Sequence, residues 1–264
     1  MAISTLLALT NPRLLRSLVL LDPVLQPSLS GIEPAVASTH RRDLWESRDA
    51  AAAKFKQSKF YQAWDPRVLD LWVQHGLRRV PTALHPAQGP PAADQRVTLT
   101  TTKHQELFTF LRPSYRGDVG GLPDRDAAHL AAQKSPYAFY RPEPLWAFRR
   151  LPELRPSVLY VFGEASDMSS PAARKTKMEL TGTGLGGSGG ATKGRVKEVV
   201  LDCGHLVAME RVQQCADAAV AFLGAELALW RAEQKEFEAR RAAVDKTALA
   251  MIDDRWKQEI KPKI

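Results

Sequence analysis

The sequence predicts an α/β fold built around a parallel sheet. Three short apolar runs have the composition of strands that are buried on both faces: SLVLLD (17–22), SVLYVFG (157–163) and VKEVVLD (196–202). Segments with a helical spacing of apolar residues lie between and after these runs. Strands that alternate with helices are typical of a parallel sheet. The chain has 264 residues, 44% of them hydrophobic and 25% charged, which is enough to form one large globular domain.

The chain begins with a predicted helix over residues 1–10, whose apolar positions are Ile3, Leu6, Leu7 and Leu9. An Asn-Pro pair ends this helix, because proline cannot continue the backbone hydrogen bonding. The first strand (17–22) follows and ends at an Asp-Pro pair.

A long insertion separates the first strand from the second, and its pattern predicts a mostly helical cap. Two helices are predicted within residues 41–80, and the second begins after the N-capping Asp65 with proline in its first position. A short strand and a helix follow within 96–112. Residues 113–156 are rich in proline and turn residues, with a short helix predicted at 124–132.

The last part of the chain is predicted to be helical from residue 209 to about 259, after a glycine-rich loop at 181–190. One apolar face of this helix is formed by Leu223, Leu227, Trp230, Phe237 and Val244. The pattern divides the chain into a core segment (1–30), the cap (31–150), a second core segment (151–225) and a charged C-terminal helix and tail (226–264).

Charge and cysteine content narrow the function classes. The formal net charge is +8, but basic residues are interspersed with acidic ones and no nucleic-acid-binding motif accompanies them. Nucleic-acid binding is therefore disfavoured. No apolar run is long enough to span a bilayer. Two cysteines, Cys203 and Cys215, are too few for a disulfide framework or a four-thiolate zinc site, and they favour a reducing compartment.

Two loops that leave strand ends carry reactive residues. GEASDMSSP (163–171) follows the second strand, and CGHLVAMERV (203–212) follows the third. In open α/β sheets, ligands bind outside the carboxyl ends of the strands. A carboxylate that orients a histidine, and a histidine that removes a proton from a nucleophile, form the acid–base part of a catalytic triad.

Three segments in this order resemble the α/β-hydrolase superfamily: NPRLLRSLVLLDPV, LRPSVLYVFGEASD and GHLVAMERV. The C-terminal segments WRAEQKEFEARR and DDRWKQEIKPKI are similar to a fungal branch that includes hydrolases of host-selective-toxin biosynthesis and peroxisomal lipase-like proteins. The resemblance covers most of the chain. It implies an α/β-hydrolase-like fold with a partial parallel sheet, a helical cap insertion and a long C-terminal helix.

The resemblance also implies roles for individual residues. His205 matches the family's catalytic histidine, and Asp167, after the penultimate strand, matches its acid. Asp22 is the alternative acid, because some hydrolases carry this residue one strand earlier, although Asp before Pro commonly forms a turn. Glu164 is a third candidate. We expect His205 and Asp167 to lie within hydrogen-bonding reach of each other.

The family's nucleophile is a serine in a G-x-S-x-G turn between a strand and a helix. The literal match at Ser188 lies between the predicted acid and the histidine and follows no strand, so we interpret it as a mobile loop. Ser4 has no glycine turn, and Cys203 fits a small buried residue. We therefore expect no nucleophile in this chain, which would correspond to the C-terminal portion of a hydrolase, and a serine turn encoded upstream of Met1.

The first strand provides a further expectation about packing. A buried parallel strand needs neighbours on both sides, because its backbone N–H and C=O groups must be paired. In the related fold, one neighbour of strand 17–22 carries the nucleophile. We therefore expect this strand to lie at an exposed edge, with Ile3, Leu6 and Leu7 poorly covered. The chain alone should then be prone to aggregation and inactive.

The activity implied by the resemblance is hydrolysis of an ester, thioester or related acyl bond, with no cofactor and no metal. The substrate would be a small apolar acyl compound. Aromatic residues of the cap would line its site or form the cap's own core: Trp45, Phe55, Phe60, Trp64 and Trp72. Two alternatives remain open, a non-catalytic hydrolase-like binding protein and a nucleic-acid-binding protein.

The C-terminal tripeptide predicts a cellular address. Pro262, Lys263 and Ile264 are similar to the peroxisomal signal Ser-Lys-Leu in the second and third positions. Proline in the first position departs from that signal. The expected partner is a peroxisomal import receptor, and the alternative location is the cytoplasm.

Overall fold

A computed structural model describes residues 2–28, 30–89, 94–113 and 139–260 of the chain. The chain divides into two units, residues 1–219 and 220–264. The helix predicted at 124–132 and the tripeptide predicted as an import signal lie outside the described residues.

The helices of the described residues are α1 (Ala2–Thr10), α2 (Ile32–His40), α3 (Arg48–Gln57), α4 (Lys59–Gln62), α5 (Pro66–His75), α6 (Lys103–Phe110), α7 (Pro142–Arg149), α8 (Pro171–Leu180), α9 (Val207–Glu210), α10 (Val212–Ala243) and α11 (Asp254–Glu259). The strands are β1 (Ser17–Leu21), β2 (Leu44–Trp45), β3 (Leu77–Arg79), β4 (Val97–Leu99), β5 (Arg112–Pro113), β6 (Phe139–Tyr140), β7 (Ser157–Gly163) and β8 (Val196–Leu201). Short 3₁₀ turns lie at Leu151–Glu153, Ala191–Lys193 and Ala248–Ala250.

Three parallel strands form the central sheet in the order β1-β7-β8. All seven residues of β7 are buried, as its apolar sequence predicts for a strand covered on both faces. The α/β class with a parallel sheet is confirmed. Because β1 and β8 both run parallel to β7, the loops after β1, β7 and β8 all leave the sheet at its carboxyl edge.

Strand β1 lies at an edge of this sheet within the part of the chain that the structure describes. This confirms the expectation for residues 17–22. Ile3 and Leu7 of α1 are 75% and 46% exposed, also as expected. Leu6 differs, because it packs against the hydrophobic core of the sheet.

The core of the first unit is formed by both faces of β7 and the elements around it. Tyr160 and Phe162 stack with ring centroids 5.2 Å apart. The hydroxyl of Tyr160 hydrogen bonds with Thr181 Oγ1 at 2.8 Å, which satisfies the polar atom of a buried ring. Leu20 of β1 and Val196 of β8 belong to the same buried cluster.

The cap contains helices and also an antiparallel sheet of order β2-β4-β3. The sequence pattern predicts a strand and a helix within 96–112, which are β4 and α6, but it does not predict β2 or β3. These strands have two or three residues each, too few to show an alternating pattern. The aromatic residues of the cap pack on one another, with Trp45–Phe55 centroids 5.4 Å apart and Trp64–Trp72 centroids 6.0 Å apart. Trp45 and Phe55 are buried in the cap's own hydrophobic cluster. The interpretation of these two residues as cap core is therefore confirmed.

The C-terminal helices differ from the sequence expectation in one respect. The predicted helix from 209 to about 259 is interrupted, because α10 ends at Ala243 and α11 begins at Asp254. The predicted apolar face of α10 is exposed, with Trp230 at 43% and Phe237 at 57%. No helix among the described residues is long and apolar enough to cross a membrane.

Candidate active site

Asp22, directly after β1, is the most constrained carboxylate of the candidate site. Its side chain is fully buried. Its backbone has φ 39°, in the left-handed region that non-glycine residues rarely occupy. Its N–H donates to the carbonyl of Val161 at 2.7 Å, so the residue still continues the pairing of β1 with β7. Such local strain is typical of functional sites, where the surrounding structure compensates for its cost.

His205, in the loop after β8, pairs with this carboxylate. The distance from His205 Nδ1 to Asp22 Oδ2 is 2.6 Å, and the His205 side chain is 41% exposed. Burial would raise the pKa of Asp22, but hydrogen bonds from His205 and Ser166 outweigh it and hold this pKa below its usual value. An ionised carboxylate only accepts hydrogen bonds, so Nδ1 carries a proton, and in the neutral imidazole Nε2 then presents its lone pair.

The loop after β7 supports Asp22. Ser166 Oγ donates to Asp22 Oδ2 at 2.5 Å, and the same hydroxyl accepts a hydrogen bond from Met168 N at 3.1 Å. The backbone N–H of Gly163 lies 3.4 Å from Asp22 Oδ1. Ser169 Oγ donates to the Gly163 carbonyl at 2.8 Å. These bonds fix the carboxylate in the orientation that faces His205.

Two side chains hold this loop in place through hydrogen bonds to the same atom, the carbonyl oxygen of Met168. Gln26 Nε2 and Lys177 Nζ each donate to it at 2.9 Å. Lys177 is 1% exposed, and its ammonium lies 5.6 Å from the centre of the Phe162 ring. Burial lowers the pKa of Lys177 to about 8.

Glycines at two positions allow the histidine loop to cross the end of β7. A Cβ atom on Gly163 would lie 2.1 Å from the carbonyl oxygen of Gly204, so no side chain fits there. Gly204 donates its N–H to Glu210 Oε2 at 2.8 Å, which ties the loop to α9. Met209 of α9 accepts a hydrogen bond from Asp65 N at 2.8 Å, which connects the cap to the same segment.

The prediction that His205 pairs with Asp167 is wrong. Asp167 is exposed and lines the same cavity as His205, whereas the buried position beside the imidazole belongs to Asp22, the alternative acid. The physical reason is the course of the loop, which turns Ser166 toward Asp22 and leaves the next side chain in solvent. Glu164, the third candidate, is also exposed.

The residues that the sequence analysis rejected as nucleophiles either lie away from His205 or are unreactive. Ser188 N donates to the carbonyl of Leu154, just before β7, so the glycine-rich loop lies at the amino edge of the sheet. Several backbone N–H groups of this loop donate hydrogen bonds, including those of Gly182 and Gly189. Burial raises the pKa of the Cys203 thiol to about 11, which keeps it neutral. Ser4 is exposed on α1.

A cavity of about 450 Å³ lies in front of His205. Most of its lining is apolar, and the charged residues in its wall include Glu33, Arg141 and Asp167. Ala2, the first residue of α1, also lines it, so the N-terminal end of this helix faces the site. Within the described residues, His205 has Asp22 as its hydrogen-bond partner and none at Nε2, which leaves that atom free to act on a group in the cavity.

Comparisons with known proteins agree with this fold. No protein-family model matches the chain. A type I acyl-CoA thioesterase of Penicillium brevicompactum is 35% identical over 282 residues, which cover 98% of this chain and 64% of that protein. An abhydrolase domain-containing protein of Alternaria alternata is 29% identical over 217 residues, covering 80% of this chain and 74% of that protein. The chain thus spans less than two thirds of the length of the thioesterase it matches.

Solved structures show the same fold. A peroxisomal α/β-hydrolase of Saccharomyces cerevisiae matches 93% of this chain and 60% of its own, with a TM-score of 0.53 and 10% sequence identity. Together with the fungal relatives, this match confirms the resemblance drawn from the sequence. The chain has the α/β-hydrolase fold and is similar in sequence to fungal proteins of that class.

Several residues of the site escaped the sequence analysis. Ser166 donates from the loop after β7 to Asp22, and Lys177 and Gln26 donate to the Met168 carbonyl of the same loop. Only the fold brings these residues together. Glu210 lies in the GHLVAMER segment, four residues after Leu206. Its position on a short helix directly after the histidine loop was the available signal for its hydrogen bond to Gly204.

Proposed function

We propose that this chain supplies the acid–base pair and the cap of an acyl-ester hydrolase that acts on acyl-CoA thioesters. The hydrogen bond between His205 and the buried Asp22 carries the proposal, because this pair activates a nucleophile in such enzymes. The relatives named as acyl-CoA thioesterases support the choice of a thioester. The mostly apolar cavity in front of His205 supports an acyl substrate.

The geometry supports a defined role for each group. His205 Nε2 accepts the proton of the nucleophile's hydroxyl while the hydroxyl oxygen bonds to the thioester carbonyl carbon. Asp22 stabilises the imidazolium that forms, through the Nδ1–H bond. His205 then gives the proton to the leaving sulfur, and an acyl-enzyme remains. Water repeats the sequence, releases the carboxylic acid and restores the nucleophile.

We propose that the nucleophile is a serine on a segment that precedes α1 in the complete enzyme. The N-terminal end of α1 lines the His205 cavity through Ala2, so a residue just before this helix would lie beside the imidazole. Within the described residues β1 has no neighbour on one side, and a strand added there would bring such a segment to the carboxyl edge of the sheet.

A direct experiment is to express the chain alone and joined to the coding sequence immediately upstream of its Met1 codon. Release of CoA from decanoyl-CoA is then followed with a thiol reagent. We expect hydrolysis by the longer product and none by the chain alone, and loss of hydrolysis on His205→Gln. Absence of an upstream serine turn, with no hydrolysis by either product, would contradict the proposal.

The second candidate function is a non-catalytic binding protein. The observation that favours it is the free Nε2 of His205, with no hydroxyl partner among the residues the structure describes. A chain that binds acyl-CoA with unchanged affinity after His205→Gln, and hydrolyses none in any form, would have this function.

We also propose that the protein is imported into peroxisomes through Pro262, Lys263 and Ile264. The support is the tripeptide itself. A fluorescent protein that ends in KPKI should accumulate in peroxisomes and become diffuse when the three residues are removed. A diffuse signal from the intact tail would contradict this proposal.

A further inference from the structure

Arg141 is the cation of the His205 cavity, and its position is unusual for a charged side chain. It follows directly after β6 and is half-buried in the cavity wall. Strand β6 pairs with β5 in a register that sets Tyr140 opposite Arg112, so the two arginines are neighbours at the end of this ribbon. Two cations held close together in a partly dry site repel each other.

The nearby carboxylate serves the other arginine. Glu143 forms an ion pair with Arg112. Among the described residues, no carboxylate lies within ion-pair distance of Arg141. Glu33 and Asp167 line the same cavity, but both are exposed and neither pairs with it. Burial and the charge of Arg112 both lower the pKa of Arg141, which shows that its charge is poorly compensated.

A half-buried guanidinium without a partner is costly, and proteins generally pair or solvate such charges. Arginine presents a planar fork of N–H donors that matches the two oxygens of a carboxylate or a phosphate. The remaining wall of the cavity is mainly apolar, so an oxyanion bound there would be shielded from water. Within the described part of the chain, the cavity thus combines a mainly apolar wall, a base and a cation without an ion-pair partner.

We infer that Arg141 is an anion-binding subsite of the substrate cavity, which receives a carboxylate or phosphate oxygen of the ligand while His205 faces the reacting carbonyl. The inference rests on the proposed function for the identity of the acyl ligand. The anion would be a carboxylate carried by the acyl compound or a phosphate of the CoA moiety. Both would use the same two-pronged hydrogen bonding.

The test measures binding to the intact chain, independently of hydrolysis. Calorimetric titrations compare decanoate with decanamide, and 4′-phosphopantetheine with pantetheine, so that the members of each pair differ only in the anionic group. We expect the anionic member of one pair to bind about ten- to a hundredfold more tightly, as for a charge-assisted hydrogen bond. A preference in the first pair identifies a carboxylate, and a preference in the second identifies a phosphate.

Variants test whether the preference for the anionic ligand depends on Arg141. Arg141→Gln should abolish it, and Arg141→Lys should retain only part of it, because lysine keeps the charge but loses the fork. Arg149→Gln removes an exposed arginine from the end of α7 and should leave it unchanged. Because Arg141 has no ion-pair partner among the residues that the structure describes, Arg141→Gln should unfold at the same temperature as the wild type or higher.

Two results would overturn the inference: no preference for the anion in either pair, or a preference that survives Arg141→Gln. Failure of the proposed function is a separate result. If the upstream-extended enzyme shows no hydrolysis while the chain keeps an Arg141-dependent preference, the thioesterase proposal fails and the anion subsite stands. Hydrolysis without an Arg141-dependent preference gives the reverse conclusion.

Discussion

The ends of strands β1 and β7 each carry an aspartate, and the two differ in almost every physical respect. Asp22, after β1, is fully buried, has a left-handed backbone conformation and bonds to both Ser166 and His205. Asp167, after β7, is exposed at the rim of the cavity. Strand β7 is the direct neighbour of β8, which precedes the histidine loop, but the acid follows the more distant β1.

The order of the strands explains the difference. Because β7 lies between β1 and β8, the loop with His205 must cross the end of β7 to reach Asp22. Gly163 makes this crossing possible, since it has no side chain to obstruct Gly204. The loop after β7 then folds under the histidine and contributes Ser166 as a support rather than Asp167 as a partner.

The largest expected effect separates the two aspartates directly. If the proposed upstream-extended product hydrolyses decanoyl-CoA, Asp22→Asn should lower its kcat about 10⁴-fold, because the amide stabilises neither the productive tautomer nor the imidazolium. Asp167→Asn should change kcat less than about tenfold, since its side chain does not touch His205. Measurement of decanoyl-CoA hydrolysis by both variants checks this, and an equal loss in both would contradict the assignment.

Gly163→Ala tests whether the histidine loop needs the empty space at the end of β7. The added methyl would overlap the Gly204 carbonyl, 2.1 Å away, so the free energy of unfolding should fall by about 3 kcal/mol or more. Gly224→Ala is the matched control, because a Cβ atom there has open space within a helix and should stabilise by about 1 kcal/mol. Urea unfolding of both variants measures the difference, and equal stabilities would be inconsistent with a crowded crossing.

Replacement of Lys177 tests how the loop after β7 is held, through the pH dependence of the free energy of unfolding. Its native pKa is about 8 and its ordinary value 10.5, so between these values the unfolded chain binds more protons than the native one. The free energy of unfolding of the wild type should therefore rise relative to Lys177→Met, by about 2–3 kcal/mol from pH 7 to pH 11. The exposed Lys175→Met, on the same helix, is the matched control for replacing a lysine by methionine. A flat Lys177→Met difference would show that the ammonium is well solvated.

Ser166→Ala should produce the smallest of these effects. It removes a hydrogen bond to a buried carboxylate, at a cost of about 1.5–2 kcal/mol in unfolding free energy at neutral pH. The native pKa of Asp22 lies below 3.8, so this contribution is present above that pH and is lost as the pH falls through the native value. Acid unfolding of Ser166→Ala and of the exposed control Ser4→Ala measures it. Identical acid transitions would place Ser166 outside the support of Asp22.

Much of the fold was accessible from the sequence because burial leaves a pattern. The bounds predicted for β7 are those observed, since SVLYVFG is apolar throughout and flanked by turn residues. Helix α5 begins where the Asp65-Pro pair predicts. Helices α2 and α8 and strands β2 and β3 of the cap sheet were missed, because short or mostly polar segments carry too little periodicity.

The site was only partly accessible for a different reason. His205 stands out through its position after the last strand, so its role could be inferred from order along the chain. The identity of its partner depends on which strands are neighbours and on the absence of a side chain at Gly163, and neither is written in a local pattern. The Asp-Pro pair at 22–23 also has the sequence of an ordinary turn. This pattern concealed that Asp22 both turns the chain after β1 and accepts the hydrogen bond of His205.

The most direct test of the account is proton NMR of the imidazole N–H groups in the ¹⁵N-labelled chain. A hydrogen bond from His205 Nδ1 to a buried carboxylate gives a low-field N–H resonance that can be assigned with His205→Gln. The account predicts that this resonance is present in the wild type and in Asp167→Asn and is lost in Asp22→Asn. Its loss in Asp167→Asn, together with its survival in Asp22→Asn, would contradict the pairing on which the proposed function rests.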